Sequence, residues 1–251
     1  DEEIGCIGVR PMISQLGFEL AKPDLIVVGE PTEMRIVDAH KSAASIKTEI
    51  RGVEAHSSLP HLGVSSIFAV GKVLNEIGKI RDEMIEKGDP SGRFDPPYTT
   101  VQVGLISGGN AKNIVPRDSE INWEFRGLPD LDRTQIPRRI QEYGEREILP
   151  TLRAGSEDTW IRTEVGNAVP GLRPDPGGKA ESLATKILRQ NQTFAVSYGT
   201  EAGMFQEAGI PTIVCGPGSI EQAHKPDEFV AISELDKCTE FLRGIVAELA
   251  T

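Results

Sequence analysis

Three carboxylates, Asp1-Glu2-Glu3, stand ahead of the first apolar residue of this sequence. One of them could bind a metal ion while its neighbour handles a proton, because adjacent side chains point in different directions. The plainer reading is a solvated terminus, or charge complementing the N-terminus of the helix that follows. Glu30 comes directly after the apolar run Leu25-Ile26-Val27-Val28-Gly29. It therefore sits at the C-terminal end of an expected strand, where open α/β sheets place their ligands, although a lone glutamate there also reads as a solvated loop residue. His224 lies in Gly216-Pro217-Gly218-Ser219-Ile220-Glu221-Gln222-Ala223-His224-Lys225-Pro226-Asp227-Glu228, a loop of small residues ending in imidazole and acid. Such a loop suits a backbone wrapped around a ligand, and equally a surface turn. Of the other histidines, His56 falls in Gly52-Val53-Glu54-Ala55-His56-Ser57-Ser58. His61 is expected to help start a helix, and His40 to belong to a strand or hinge. No dinucleotide fingerprint, phosphate-binding loop, nucleophile elbow or HExxH zinc helix is present in the sequence.

The elements that must position these residues follow from periodicity. Apolar residues at helical spacing predict helices over residues 5–20, 63–87, 132–149 (with Pro137 tolerated in the first turn), 179–189 and 233–250, the last capped by Ser233. Leu25–Gly29 reads as a strand buried on both faces, and residues 35–51 as one extended, alternating segment. Further strands are expected over 99–107, 120–125, 160–165 and 212–215. The order places an α+β module, residues 39–168, between two pieces of an α/β layer, residues 1–38 and 169–251.

Composition excludes several classes of function. The chain has 251 residues, 38% hydrophobic and 26% charged, the balance of an ordinary globular protein. No apolar run reaches the roughly 20 residues of a membrane-spanning helix, so no membrane partner is expected. The net charge of −11 repels a phosphate backbone and argues against nucleic acid. Three scattered cysteines without CxxC, and no secretory signal, predict reduced thiols in a cytoplasmic protein.

Taken together, the spaced motifs DEEIG, VVGEPTE, GVEAHSSLPHLGV, GGNAKNIVP, RGLP, GTEAG and GPGSIEQAHKPDE resemble the acetylornithine deacetylase branch of the di-metal aminoacylase/carboxypeptidase family. That family includes succinyl-diaminopimelate desuccinylase. The resemblance runs from the first residue to the last helix. It implies a metallo-exopeptidase-like α/β catalytic domain, partial here, carrying an inserted ferredoxin-like α+β domain for dimerisation and lid closure. It implies that Glu2 is the general base, that Glu3 and His224 bind one metal ion, and that Glu30 binds the other. His56 is similar to a histidine that one subunit extends into its partner's active site to steady the oxyanion. Asn113 and Arg126 match substrate-contacting positions, Arg126 holding the α-carboxylate through its planar fork. Gly199 and Thr200 match residues lining the pocket.

The implied reaction is removal of the acetyl group from N²-acetyl-ornithine to give ornithine and acetate, a step of arginine biosynthesis. Two divalent ions, zinc foremost with cobalt or manganese as substitutes, are the implied cofactors. Two alternatives stand beside it. One is a desuccinylase or broader aminoacylase of the same family; the other is a catalytically incomplete fragment that only dimerises. The family's upstream histidine and metal-bridging aspartate have no counterpart here. The expectation is therefore an incomplete metal site in this chain alone, completed by an N-terminal segment.

Overall fold

The computed structural model describes residues 5–250, so the expectations for Glu2 and Glu3 lie outside the described residues. In chain order the regular elements begin with α1 (Val9–Gln15), β1 (Ile26–Val28), β2 (Val37–His40), β3 (Ser42–Arg51) and β4 (Ala55–His56). Next come α2 (Ser66–Lys87), β5 (Thr100–Gly108), β6 (Ile114–Val115), β7 (Asp118–Gly127), α3 (Gln135–Tyr143), α4 (Leu149–Arg153) and β8 (Trp160–Val169). The chain ends with α5 (Lys179–Leu188), β9 (Phe194–Val196), α6 (Ala202–Glu207), β10 (Thr212–Val214) and α7 (Ile232–Leu249).

Two four-stranded sheets result. In the first, ordered β1-β10-β2-β9, β1 runs parallel to β10 and β2 parallel to β9, with an antiparallel pair between them. Period-two alternation sends neighbouring strand residues to opposite faces. Ile213 accordingly packs with Ala180, Ala184 and Phe241 of α5 and α7, whereas Val214 packs with Ala202 and Phe205 of α6. The second sheet, ordered β5-β7-β3-β8, is antiparallel throughout. Its β3-α2-β5-β7-α3-β8 connectivity is the ferredoxin-like arrangement the resemblance implied. One face packs Ile46, Ile50, Ile121, Trp123 and Phe125 against Val70, Val73 and Ile77 of α2 and Ile136 and Ile140 of α3. Each such side chain contributes about 1.5–3 kcal/mol by leaving water. Thr48 is fully buried among them and satisfied, accepting from Trp123 Nε1 at 3.1 Å and bonding the Thr163 hydroxyl at 3.2 Å.

Three expectations are corrected. Leu25–Gly29 does not form a strand buried on both faces. β1 is the edge strand of its sheet among the described residues, and of its three residues only Val28 is buried. Ser233 does not cap the last helix: Ala231 holds the extended N-cap backbone, and the helix starts one residue before Ser233. The helical spacing of apolar residues that predicts this last helix implies one buried face, Leu235, Cys238, Phe241, Leu242, Ile245 and Leu249. Of these Phe241 is buried and Cys238 and Ile245 pack beside it, while Leu235, Leu242 and Leu249 are exposed.

The segment read as one extended run, 35–51, is divided. β2 belongs to the first sheet and β3 to the second, with Lys41 between them. Lys41 is fully buried, and its Nζ donates to the carbonyls of Pro96 and Tyr98, both at 2.7 Å. Burial lowers its pKa from the ordinary lysine range, opposed by the charges of Asp89 and Asp95. The same loop is tied down twice more. Arg93 pairs with the buried Asp38 of β2, and the Ser197 hydroxyl donates to Asp95 O. Lys41→Met keeps the stem and strands both carbonyls. The expected cost is about 2–5 kcal/mol by denaturant unfolding, and a loss below about 0.5 kcal/mol would contradict this role.

Candidate functional site

The site begins with two loops that the chain crosses at close range. After β1 the turn Glu30-Pro31-Thr32 meets the loop that follows β10. Thr32 N and Met34 N both donate to Gly216 O, Gly216 N donates to the Thr32 hydroxyl, and Glu33 N donates to Gly218 O. A Cβ on Gly216 would stand 2.5 Å from the carbonyl oxygens of Gly29 and Glu30, so only glycine lets the loops approach this closely. The second loop then winds on to His224, itself in the left-handed region at φ 61°. By this route Glu30 and His224, nearly two hundred positions apart, come to line one pocket.

The opposite wall is the end of the second sheet. Register pairs Ala43 with Arg126 and Ser45 with Glu124. Both members of each pair point to the face away from the helices, and Ala43 and Ser45 are too small to fill it. The result is a cavity of about 590 Å³ between the two sheets. Its rim and walls carry Glu30, Glu124, Glu228, Arg126, His224 and Tyr198. Arg126 and Glu124 form an ion pair, Nη2 to Oε2, at 3.2 Å. Burial, with the Glu30 carboxylate adding to it, pushes the Tyr198 phenol up to about 12, so it remains a hydrogen-bond donor at neutral pH.

The structure thus brings together Glu30, His224, Arg126 and Gly199. It does not bring Thr200 into the pocket wall. Thr200 is fully buried behind Gly199, where its hydroxyl bonds His40 Nε2 at 3.1 Å and accepts from Ala202 N at 3.0 Å. His56 and Asn113 also stand outside this pocket, His56 on a small two-stranded ladder of β4 and β6 and Asn113 in the turn directly ahead of β6. They are held beside each other there by Ser57 N donating to Asn113 O. The His56 ring is exposed, and its Nδ1 accepts from Ser58 N, which leaves the ring proton on Nε2. Glu124 and Tyr198 line the pocket without having been singled out in the sequence. The signal for Glu124 was available, since it lies two residues before Arg126 on the same strand face.

Glu30 and His224 offer a carboxylate and an imidazole, a mixture zinc accepts, but two donors are only part of a coordination sphere. Among the described residues no group of three His, Cys, Asp or Glu stands close enough together to hold a metal ion. Nor is any of their helices long and apolar enough to cross a membrane.

With this geometry in place, comparison with known proteins gives a consistent result. The peptidase dimerisation domain family matches residues 38–151. Residues 38–151 belong to that family. The chain as a whole is similar to the acetylornithine deacetylase of Pasteurella multocida, 31% identical over 251 residues, which are all of this chain and 63% of the relative. The corresponding enzyme of Myxococcus xanthus is 33% identical over 98% of this chain and 62% of its own length. The chain therefore spans less than two thirds of the curated relatives it matches. Among solved structures, the aminopeptidase PepT of Bacillus cereus superposes with a TM-score of 0.72 at 24% identity, over 100% of this chain and 62% of that one. A dinuclear metal-binding peptidase of the M20 family from Bacillus subtilis superposes at 0.61 and 16% identity, over 99% of this chain and 62% of that one. At these identities the likeness is one of fold, and the fold is that of the M20 peptidases.

One polar pair behind the pocket makes a prediction. His40 is fully buried, and burial lowers its pKa to about 4 despite a hydrogen bond to Lys41 O. The folded state therefore keeps it neutral while the unfolded chain takes up a proton below about pH 6.5. Stability is full above that value and falls as pH drops towards 4, by about 2–3 kcal/mol from this residue. Denaturant midpoints measured from pH 6.5 to 5 should slope less in His40→Gln than in the unaltered protein; equal slopes would contradict the buried neutral ring.

Proposed function

We propose that this chain is the larger part of a metal-dependent amide hydrolase acting on N-acyl amino acids. N²-acetyl-ornithine is the substrate, and L-ornithine and acetate are the products. The observation that carries the reading is the convergence of Glu30, His224 and Arg126 on one pocket, in a chain similar along its whole length to acetylornithine deacetylases. In this reading the boundaries follow the sequence pattern. Residues 1–38 and 169–251 belong to the catalytic layer and residues 39–168 to the inserted domain, with the change of sheet itself falling at Lys41 and just after β8, and the reaction is a step of arginine biosynthesis.

Arg126 binds the substrate's α-carboxylate, its planar fork matching two oxygens at once. Gly199 lines the pocket floor, where the absence of a side chain keeps room for the acyl group. His224, with Glu3, and Glu30 would hold two divalent ions, zinc in preference to cobalt or manganese. The chemistry such an ion would supply there is a bound water with its pKa lowered to about 7. Glu2 takes the proton from the attacking water and passes it to the leaving amine.

His56 acts on a second copy of the chain, its Nε2–H donating to the developing oxyanion there, with Asn113 beside it at the substrate. A homodimer is supported by the apolar surface around β5, an edge strand of its sheet among the described residues. Ile67, Phe68, Leu105 and Ile106 are all exposed on α2 and β5. Pairing two such edges buries both the apolar side chains and the free strand groups.

Ornithine release from N²-acetyl-ornithine, measured with zinc or cobalt and with a chelator control, tests the reading. Chelator-sensitive turnover that exceeds turnover of N-succinyl-diaminopimelate is expected. Preference for the succinyl substrate would move the assignment to a desuccinylase, and no turnover of either by the full-length polypeptide would refute it. Arg126→Ala should raise KM for acetyl-ornithine at least about thirtyfold, because it removes the partner of a desolvated carboxylate. Mixing His56→Ala with Glu30→Ala subunits should restore part of the activity both lack alone, since one composite site of each heterodimer is intact. Verified heterodimers with no recovery would count against a shared site.

A further inference from the structure

The pocket carries more charge than an α-carboxylate and a metal site require. Glu124 stands two residues from Arg126 on β7, on the same face, and both side chains line the cavity. Cα atoms two apart on a strand are about 6.7 Å from each other. The two groups therefore present one negative and one positive charge side by side. Their mutual contacts are long, Nε to Oε1 at 3.4 Å and Nη2 to Oε2 at 3.2 Å, and both side chains are partly exposed. A pair of that kind holds together weakly, so an incoming ligand displaces it at little cost. Displacement by a carboxylate alone would leave Glu124 facing the cavity without its cation. A ligand bearing both a carboxylate and an ammonium group satisfies the two residues at once.

The opposing register supports this. Ser45, paired across from Glu124, leaves open volume beside that carboxylate, as Ala43 does beside Arg126. There is thus space for a ligand's polar end at both positions along the strand. Across β7's other edge, Gln102 is the partner of Glu124 and brings no charge of its own.

We propose that Glu124 is the specificity-determining residue of this pocket. It receives the ammonium at the end of the substrate's side chain while Arg126 holds the α-carboxylate. The substrate class so selected is N-acyl derivatives of short basic amino acids, in preference to neutral ones of the same shape. This deepens the amide-hydrolase reading and rests on it. The resting Glu124–Arg126 pair then serves as a placeholder in which each residue occupies the other's ligand position until substrate arrives.

The test compares L-ornithine with L-norvaline, which keeps the three-carbon chain and the α-ammonium but lacks the ammonium at the end of the side chain. Binding of each is measured by titration calorimetry on the full-length, metal-loaded protein, alongside kcat/KM for the two N-acetyl derivatives. The unaltered protein should prefer ornithine at least about tenfold, and Glu124→Gln should bring that preference close to one. Glu120→Gln, on the same strand face but outside the pocket, serves as a control and should keep it. If Glu124→Gln weakens both ligands alike, Glu124 merely orients Arg126 and the proposal is overturned. An unchanged preference overturns it too. If the unaltered protein neither binds nor turns over either pair, the hydrolase reading itself has failed, and the proposal with it.

Discussion

The chain passes between its two sheets twice, and nearly everything about the site depends on those crossings lying side by side. His40 and Leu172 exchange backbone hydrogen bonds, joining the outward crossing to the returning one. Lys41 follows at once, fully buried, and its ammonium fastens the loop around Pro96 and Tyr98 to the junction. A buried ammonium is costly unless its protons are taken up, and here two carbonyls accept two of the three while Asp89 and Asp95 supply opposite charge. The Asp38–Arg93 ion pair and the Arg93 contact to Thr193 bind the same loop to β2 and to the segment ahead of β9. The junction is thus a polar knot, and the mutual position of the sheets follows from how it is satisfied.

The pocket is a consequence of that position. One wall is the outer face of a sheet whose inner face is filled by Trp123, Phe125 and their helices. The other wall is a pair of loops cross-linked through Thr32 and Gly216. Neither wall is a site alone. The sheet contributes Arg126 and Glu124, a cation and an anion side by side, and the loops contribute Glu30 and His224, a carboxylate and an imidazole.

Much of this was legible in the residues. The α+β order of the inserted module is written in its periodicity, because a long amphipathic helix such as α2 and the core of a long strand such as β7 leave clear patterns. What was not legible has physical reasons. The sheet switch at Lys41 interrupts no alternation, so 35–51 reads as one strand. β4, β6 and β9 are two or three residues long, too short for any period to register. The run Leu25–Gly29 is apolar enough for a central strand, yet β1 lies at the edge of its sheet among the described residues. Gly199 and Thr200 looked equivalent in the motif; only the fold separates them, sending the hydroxyl back to His40. Glu124 was overlooked because an acid alternating with core residues on a strand normally means a solvated face.

The central claim is that one ligand bridges both walls of this pocket. The most direct measurement is a titration of the isotopically labelled protein with L-ornithine, followed residue by residue through its amide resonances. The geometry predicts saturable shifts at residues 43–45 and 124–126 of the sheet together with residues 198–199 and 216–228 of the loops, all with the same dissociation constant. Shifts confined to one wall, or centred elsewhere on the molecule, would contradict it.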